Sequence, residues 1–311
     1  MNWTRRDWIA LIGVTLLGAV LRLYKLGEVP PGFQFDEAFN AVDADQVLAG
    51  NRPLFLPANG GREVLYTYWQ AAIGAVLGID PFSLRLASAI FGIVAVALSY
   101  VFLRRMIRRE SFLVALFTSL VFAVTLWPVH FSHYAIRVNM MPALFTLTFG
   151  LFWLGGHAPT RNRRLLAYVA AGFMLGLTPW SNPTGRLAPI VLLLYVLWLL
   201  LREPAHRRWA WDSLLGGLFI TGGIAFLVFL PLGLEFVRHP EWFFGHASEV
   251  SIFAERVGGD SPLQILVEHL LQVLGMFSFT GDVDWTHGPE KRPVFDPLLS
   301  IPFYIGLALW L

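Results

Sequence analysis

Seven apolar runs, at residues 8–24, 83–103, 111–129, 140–156, 166–180, 187–201 and 212–233, dominate this chain of 311 residues, and an eighth begins near 297. Crossing the hydrocarbon core of a bilayer takes roughly 20 predominantly apolar residues in a helix, with about 17 a practical minimum. Most of the runs approach or exceed that length, and the composition of 56% hydrophobic and 14% charged residues lies outside the range of an ordinary soluble domain. The fold class that follows is all-α, a polytopic bundle of transmembrane helices.

Clusters of arginine separate several of the runs: Arg104, Arg105, Arg108 and Arg109; Arg161, Arg163 and Arg164; Arg202, Arg207 and Arg208. Lys and Arg collect on the cytoplasmic side of a membrane protein, so these clusters set the topology. The first run follows Arg5 and Arg6 like a signal peptide, but Arg22-Leu23-Tyr24-Lys25 offers no small-residue cleavage site. It reads as a retained span. The run 64–79 is also apolar, yet a crossing there would put Arg5-Arg6 and the Arg104 cluster on opposite faces. It is therefore expected to be a juxtamembrane or re-entrant helix.

With that parity, the connections 25–82, 130–139, 181–186 and 234–296 share the non-cytoplasmic face. The two long ones, the first outer loop 25–82 and the last outer loop 234–296, hold Asp36, Glu37, Asp43, Asp45, Glu63, Glu235, Glu241, Glu249, Asp282 and Asp284. Long loops of this kind are commonly functional or disordered, and their aromatic content argues against disorder. Within the first, a helix is expected from Asp36 to Leu48, with Phe35, Phe39 and Val42 on one side and Asp36, Asn40 and Asp43 on a polar face. In the second, Leu263, Leu266, Leu270 and Leu274 oppose Gln264, Glu268 and Gln272, the pattern of a helix lying in the interface. A net charge of +2, with arginines in short clusters, excludes a nucleic-acid footprint. No cysteine is present, so disulfides and thiolate chemistry are excluded as well.

Four constellations could carry chemistry. In Phe35-Asp36-Glu37, a carboxylate near the bilayer surface could serve as a general base, or Asp36 could simply cap the helix that follows. In the string from His130 to Asn139, Arg137 needs an anion, either a phosphate or an acidic loop residue. His130 and His133 lack a third ligand at metal spacing and read as interface histidines. Trp180-Ser181-Asn182-Pro183-Thr184-Gly185-Arg186 is a short turn ending in a second arginine, and its central proline rules out a glycosylation sequon. Asp282-Val283-Asp284 has oxygen ligands for a divalent cation, the only cofactor that the residues suggest, or forms a solvated turn.

At these residues the chain resembles the membrane glycosyltransferases of the GT-C class, most of all bacterial members of glycosyltransferase family 39. These are relatives of the dolichyl-phosphate-mannose protein mannosyltransferases and the lipid A aminoarabinose transferases. The likeness runs through Phe35-Asp36-Glu37, Leu65-Tyr66-Thr67-Tyr68-Trp69, Arg85-Leu86-Ala87-Ser88-Ala89, Ser132 to Pro142, Gly176 to Pro189, His239-Pro240-Glu241, Gly281-Asp282 and Pro293-Val294-Phe295-Asp296-Pro297. It departs at His133 and His246, where arginines are expected, and at Trp180-Ser181-Asn182, which replaces a tyrosine-rich turn.

The resemblance implies a single transmembrane glycosyltransferase domain over 1–311, of the GT-C type, with juxtamembrane helices in the first and last outer loops. The chain stops at Leu311 inside an apolar run, so an incomplete C-terminus is expected. The implied donor is a polyprenyl-phosphate sugar and the acceptor a protein, lipid or glycan, in a multi-pass protein of the plasma (inner) membrane acting on the non-cytoplasmic face. Asp36 is then the base, with Glu37 supporting it or orienting the acceptor. Arg137, Arg186 and His133 are set against the donor phosphate, and Asp282 and Asp284 against the acceptor or a metal. The rival from another class is a transporter or flippase of a lipid-linked sugar. Such proteins place charges and broken helices at mid-membrane, often in repeated halves, and no repeat is visible here. A non-catalytic scaffold fits poorly with so many ionisable residues in the outer loops.

Overall fold

The computed structural model describes residues 3–107, 110–202, 214–249, 261–282, 284 and 291–310. Arg108, Arg109, Arg207, Arg208 and Trp285-Thr286-His287 lie outside the described residues, as do the side chains of Arg202, His246 and Glu249. In chain order the helices are α1 (Arg5–Leu23), α2 (Phe35–Leu48), α3 (Leu65–Leu77), α4 (Pro81–Met106), α5 (Ser111–Val124), α6 (Leu126–Ser132), α7 (Met141–His157), α8 (Arg161–Ser181), α9 (Ala188–Arg202), α10 (Gly216–Arg238), α11 (Pro240–Glu249), α12 (Pro262–Gly275) and α13 (Pro297–Trp310). Among the described residues one sheet occurs, an antiparallel pair of β1 (Phe55–Leu56) and β2 (Arg62–Glu63) with Phe55 opposite Glu63.

Four helical stretches, at Pro81–Met106, Arg137–His157, Pro183–Leu201 and Gly216–Arg238, are long and apolar enough to cross a membrane, and the bent α5–α6 pair makes a fifth if counted as one span. The charged first turns of α1 and α8 lower their mean hydropathy. Their 19 and 21 residues still reach roughly 30 Å at about 1.5 Å per residue. Both pack within the bundle, α1 on α4 and α5, and α8 on α7 and α10. The chain is an integral membrane protein. At 13 residues α3 is too short to cross, as parity requires, and it packs on α2 and α4.

Ion pairs and caps locate the two ends of the bundle. Asp7, at the start of α1, pairs with Arg104 at the end of α4. At the other end of α4, Asp80 caps the helix by accepting from the Ser83 amide at 2.7 Å, with Pro81 in the first turn. The start of α7 lies at this second end, since Asn139 donates to the Ser88 carbonyl at 2.9 Å, and so does the end of α8, where the Ser181 hydroxyl meets the Met141 sulfur at 3.0 Å. Arg161, Arg163 and Arg164, at the start of α8, therefore share the first end with Arg104 and Arg105. The arginine clusters among the described residues gather at one end, as expected.

The run 111–129 is not one straight span. Pro128 has no amide hydrogen for the Val124 carbonyl, and its ring crowds that oxygen, so the helix breaks at Thr125 with a bend of 56°. The carbonyls freed by the break need donors, which apolar surroundings cannot supply. Arg22, fully buried in the last turn of α1, donates to Ala123 at 2.9 Å and to Phe122 at 3.2 Å. Between α8 and α10, Gly172 and Gly176 permit backbone approach: a Cβ at either would lie 2.5 Å from the Thr221 carbonyl oxygen or 2.8 Å from that of Ala225.

α2 is inverted relative to a soluble amphipathic helix. Phe35 and Val42 are exposed, whereas Glu37, Asn40 and Asp43 are buried with Ala44 and Val47. The polar face turns inward because buried arginines from β2 and α4 meet it. α12 matches the expected interfacial pattern, and no residue in it is buried.

Candidate active site

Four segments converge at the second end of the bundle: the start of α2, the β1–β2 hairpin, the turn before α7 and the turn before α9. Glu37 and Arg85 form the anchor. Arg85 donates through Nε and Nη2 to the two carboxylate oxygens at 2.9 and 3.0 Å, and both side chains are about 1% exposed. Glu37 also accepts from the amides of Gln34 at 3.0 Å and Ala135 at 2.9 Å, while Arg85 reaches the carbonyls of Pro30 and Gly32 at 3.1 and 2.8 Å. A carboxylate with four donors is fully committed. Glu37 therefore lies in a buried knot that joins α2, α4 and the residue after Tyr134, at the wall of a small cavity of ≈ 140 Å³.

One position earlier on the helix, Asp36 is exposed. It is not the cap. Gln34 caps α2, its side chain accepting from the Asp36 amide at 2.8 Å. Among the described residues the Asp36 carboxylate has one side-chain partner, Asn59, which donates to Oδ1 at 2.9 Å from the hairpin turn. Asn59 sits at φ +54°, a left-handed conformation that asparagine tolerates, followed by Gly60 and Gly61, also at positive φ. The turn thus aims one amide at Asp36 and leaves Oδ2 open.

The hairpin's second strand supplies the charges that hold the arginines. Arg62 pairs with Asp43 and donates to the Asn40 amide oxygen at 2.8 Å. Burial pushes the Asp43 carboxyl above its ordinary value despite the pull of Arg62. Glu63, about 1% exposed, lies between Arg186 at 2.9 Å and Arg137 at 3.4 Å, each of them 17% exposed. Arg186 also donates to the Phe243 carbonyl at 2.6 Å and lies over the rings of Phe236 and Phe243. Burial lowers the pKa of the Arg137 guanidinium from its ordinary value, against the opposing pull of Glu63. A groove of ≈ 360 Å³ between α8 and α10, lined by residues such as Leu175, Pro179, Ala225, Phe226 and Phe229, has Arg186 as its one charged lining residue.

Two expected site features are not found in the cluster. Both ring nitrogens of His133 are engaged by backbone carbonyls, Val129 at 2.9 Å and Tyr24 at 3.1 Å, which leaves no donor for a phosphate. Its place in the fold is to tie α6 to the end of α1. The Asp282 carboxylate accepts from the Asp284 amide at 2.9 Å, the turn reading of Asp-x-Asp. Among the described residues no three His, Cys, Asp or Glu side chains group as metal ligands.

Sequence reasoning missed Arg85, Arg62 and Asn59 as site-building residues, and named Glu63 only among the loop acids. The pair of glycines before Arg62-Glu63 was the available sign of a hairpin.

The comparisons with known proteins follow this geometry. The family model described as dolichyl-phosphate-mannose-protein mannosyltransferase matches residues 60–247, more than half of the chain, including Arg62, Glu63, Arg85, Arg137 and Arg186. An undecaprenyl phosphate-alpha-4-amino-4-deoxy-L-arabinose arabinosyl transferase of Enterobacter sp. (strain 638) is 26% identical over 242 residues, covering 76% of this chain and 41% of that one. The chain thus spans about two fifths of the length of this curated relative. Among solved structures, the protein O-mannosyltransferase complex of S. cerevisiae bound to the sugar donor has a TM-score of 0.62 at 19% identity, covering 78% of this chain and 35% of that one. The aminoarabinose transferase homologue ArnT of Cupriavidus metallidurans bound to undecaprenyl phosphate has a TM-score of 0.60 at 17% identity, covering 88% and 50%. These structures share the helical bundle, the GT-C membrane glycosyltransferase fold. By the extent of the family match, which takes in β2, both arginine turns and the groove, this chain belongs to the dolichyl-phosphate-mannose-protein mannosyltransferase family.

Proposed function

We propose that the chain, acting as one transmembrane domain, transfers a sugar from a polyprenyl-phosphate-linked donor to an acceptor hydroxyl or amine at the non-cytoplasmic face of the plasma (inner) membrane. The observation that carries this reading is the apolar groove lined by Arg186, which shares the buried Glu63 with Arg137. A polyprenyl tail needs an apolar channel open to lipid, its phosphate needs fixed cations, and the acceptor needs a base close to the anomeric carbon. In the transfer, Asp36 takes the acceptor proton as the acceptor oxygen or nitrogen bonds to the anomeric carbon. The bond from that carbon to the phosphate oxygen breaks, its electron pair stays on the phosphate, and the guanidinium groups face the charge that develops. Glu37 supports Asp36 by fixing the first turn of α2. The transporter reading is disfavoured because the cluster lies at the helix ends, where a mid-membrane substrate site would not be.

The test is incubation of purified protein with a panel of radiolabelled polyprenyl-phosphate sugars and candidate acceptors, scored for transfer. Donor binding by Arg137→Ala and Arg186→Ala should weaken by about 1.5–3 kcal/mol each if each guanidinium makes a charge-assisted hydrogen bond to the phosphate. Lysine should rescue only in part, since it lacks the forked geometry. Normal donor affinity in both folded alanine variants would make these arginines partners of Glu63 alone.

For sidedness, the cysteine-free background allows single-cysteine labelling. Cysteines at Asp36 and Asn182 should react with an impermeant reagent from outside, and those at Arg105 and Arg163 only after permeabilisation. Protection of the Asp36 position would overturn the orientation.

A further inference from the structure

Glu63 is a buried carboxylate placed where the mechanism has no obvious use for a negative charge. It stands between the two guanidinium groups assigned to the donor phosphate, at 2.9 Å from Arg186 and 3.4 Å from Arg137. The contact with Arg137 is loose. Glu63 Oε2 and Arg137 Nη1 face each other with no hydrogen bond, and both atoms are buried without another partner among the described residues. The third arginine, Arg62, is already matched by Asp43.

The ion-paired charges around Glu63 can therefore be counted among the described residues. Three guanidinium groups, Arg62, Arg137 and Arg186, face two carboxylates, Asp43 and Glu63, which leaves a surplus of one positive charge. That surplus belongs to the set of arginines and their two ion-pair partners alone. Asp36, hydrogen-bonded to Asn59, carries its own negative charge on the acceptor side until it takes the acceptor proton. A phosphodiester, the form of phosphate in a polyprenyl-phosphate sugar, carries one negative charge, so the surplus matches it. A diphosphate-linked lipid carries at least one more, and Glu63 lies where it would repel that charge at short range in a poorly hydrated site. The same repulsion acts on the polyprenyl phosphate left after transfer, whose free monoester holds close to two negative charges above pH 7.

We propose that Glu63 is a specificity-determining residue, restricting the Arg137–Arg186 pair to donors that carry a single phosphate by holding one guanidinium charge in a buried ion pair. This rests on the donor reading given above. Glu63 touches neither the anomeric carbon nor the acceptor, and it acts through the two arginines. Its place on β2, directly after the turn that carries Asn59, links the charge balance at the phosphate to the orientation of Asp36.

The test measures binding of undecaprenol, undecaprenyl phosphate and undecaprenyl diphosphate to purified wild type, Glu63→Asp and Glu63→Gln, with thermal unfolding followed in parallel. Wild type and Glu63→Asp should prefer the monophosphate over the diphosphate. In Glu63→Gln the ratio of the two affinities should move towards the diphosphate by about tenfold or more, the scale of one unit charge at a few ångströms in a partly buried site. The double variant Glu63→Gln/Arg137→Gln restores the surplus of one and should return the preference to the monophosphate. It also keeps the proposal open to refutation if the single variant is unstable. An unchanged ratio in Glu63→Gln, or no return in the double variant, overturns the proposal and leaves Glu63 a structural ion-pair partner. A wild type that binds undecaprenol as well as either phosphate defeats the donor reading itself, and that result is distinct from the first.

Discussion

Asp36→Asn should lower turnover at saturating donor by roughly 10²–10⁴, the range expected when a general base is lost, while donor binding and thermal stability stay near wild type. The substitution keeps size and shape, and asparagine can still accept the Asn59 amide through its own oxygen. Capping gives no alternative account of a loss, because Gln34 caps α2 and Asp36 points outward. The comparison is single-turnover transfer by variant and wild type under equal donor occupancy. Near-normal transfer would remove Asp36 from the chemistry, with Asp282 as the next carboxylate to replace. Asn59→Ala should show a smaller loss in the same direction, confined to kcat, because it frees the carboxylate to rotate without removing its charge.

Arg85→Ala is expected to have the largest effect on the fold. Removing one partner of a buried pair leaves the other charge uncompensated, and such losses run to about 3–5 kcal/mol. Glu37 would keep two backbone donors but lose both guanidinium contacts, and the carbonyls of Pro30 and Gly32 would lose theirs. Thermal unfolding in detergent should fall accordingly, and α2 should become labile to protease. Glu37→Gln serves as the companion measurement. If Glu37 only positions Asp36, transfer should decline together with stability. A large loss of transfer in a variant as stable as wild type would put Glu37 in the chemistry after all.

The membrane class, the order of the main apolar helices and the gathering of arginines at one end were legible in the sequence because they depend on local quantities. Apolar run length sets whether a segment can cross, and charge in the flanks sets which way. The non-crossing run 64–79 followed from parity alone and appears as the short α3. The break at Thr125 was not foreseen, although Pro128 was visible, because a proline inside a span is tolerated wherever a neighbour satisfies the freed carbonyls. That neighbour is Arg22, about a hundred residues away in the chain.

By itself, then, the sequence determined that this chain is a bundle of membrane helices with its carboxylates and two isolated arginines at one end, and it singled out Asp36, Arg137 and Arg186. Only the tertiary structure decided which ionisable groups face one another. Asp36 and Glu37 are neighbours of identical local pattern, yet a rotation of about 100° per helical residue sends one into a saturated knot with Arg85 and leaves the other open beside Asn59. His133 and Arg137 lie in one polar string, yet one is spent on backbone carbonyls and the other shares Glu63 with Arg186. Ion pairing is set by distance in space and by the absence of competing water, and neither is a property of the intervals at which charges occur along a chain.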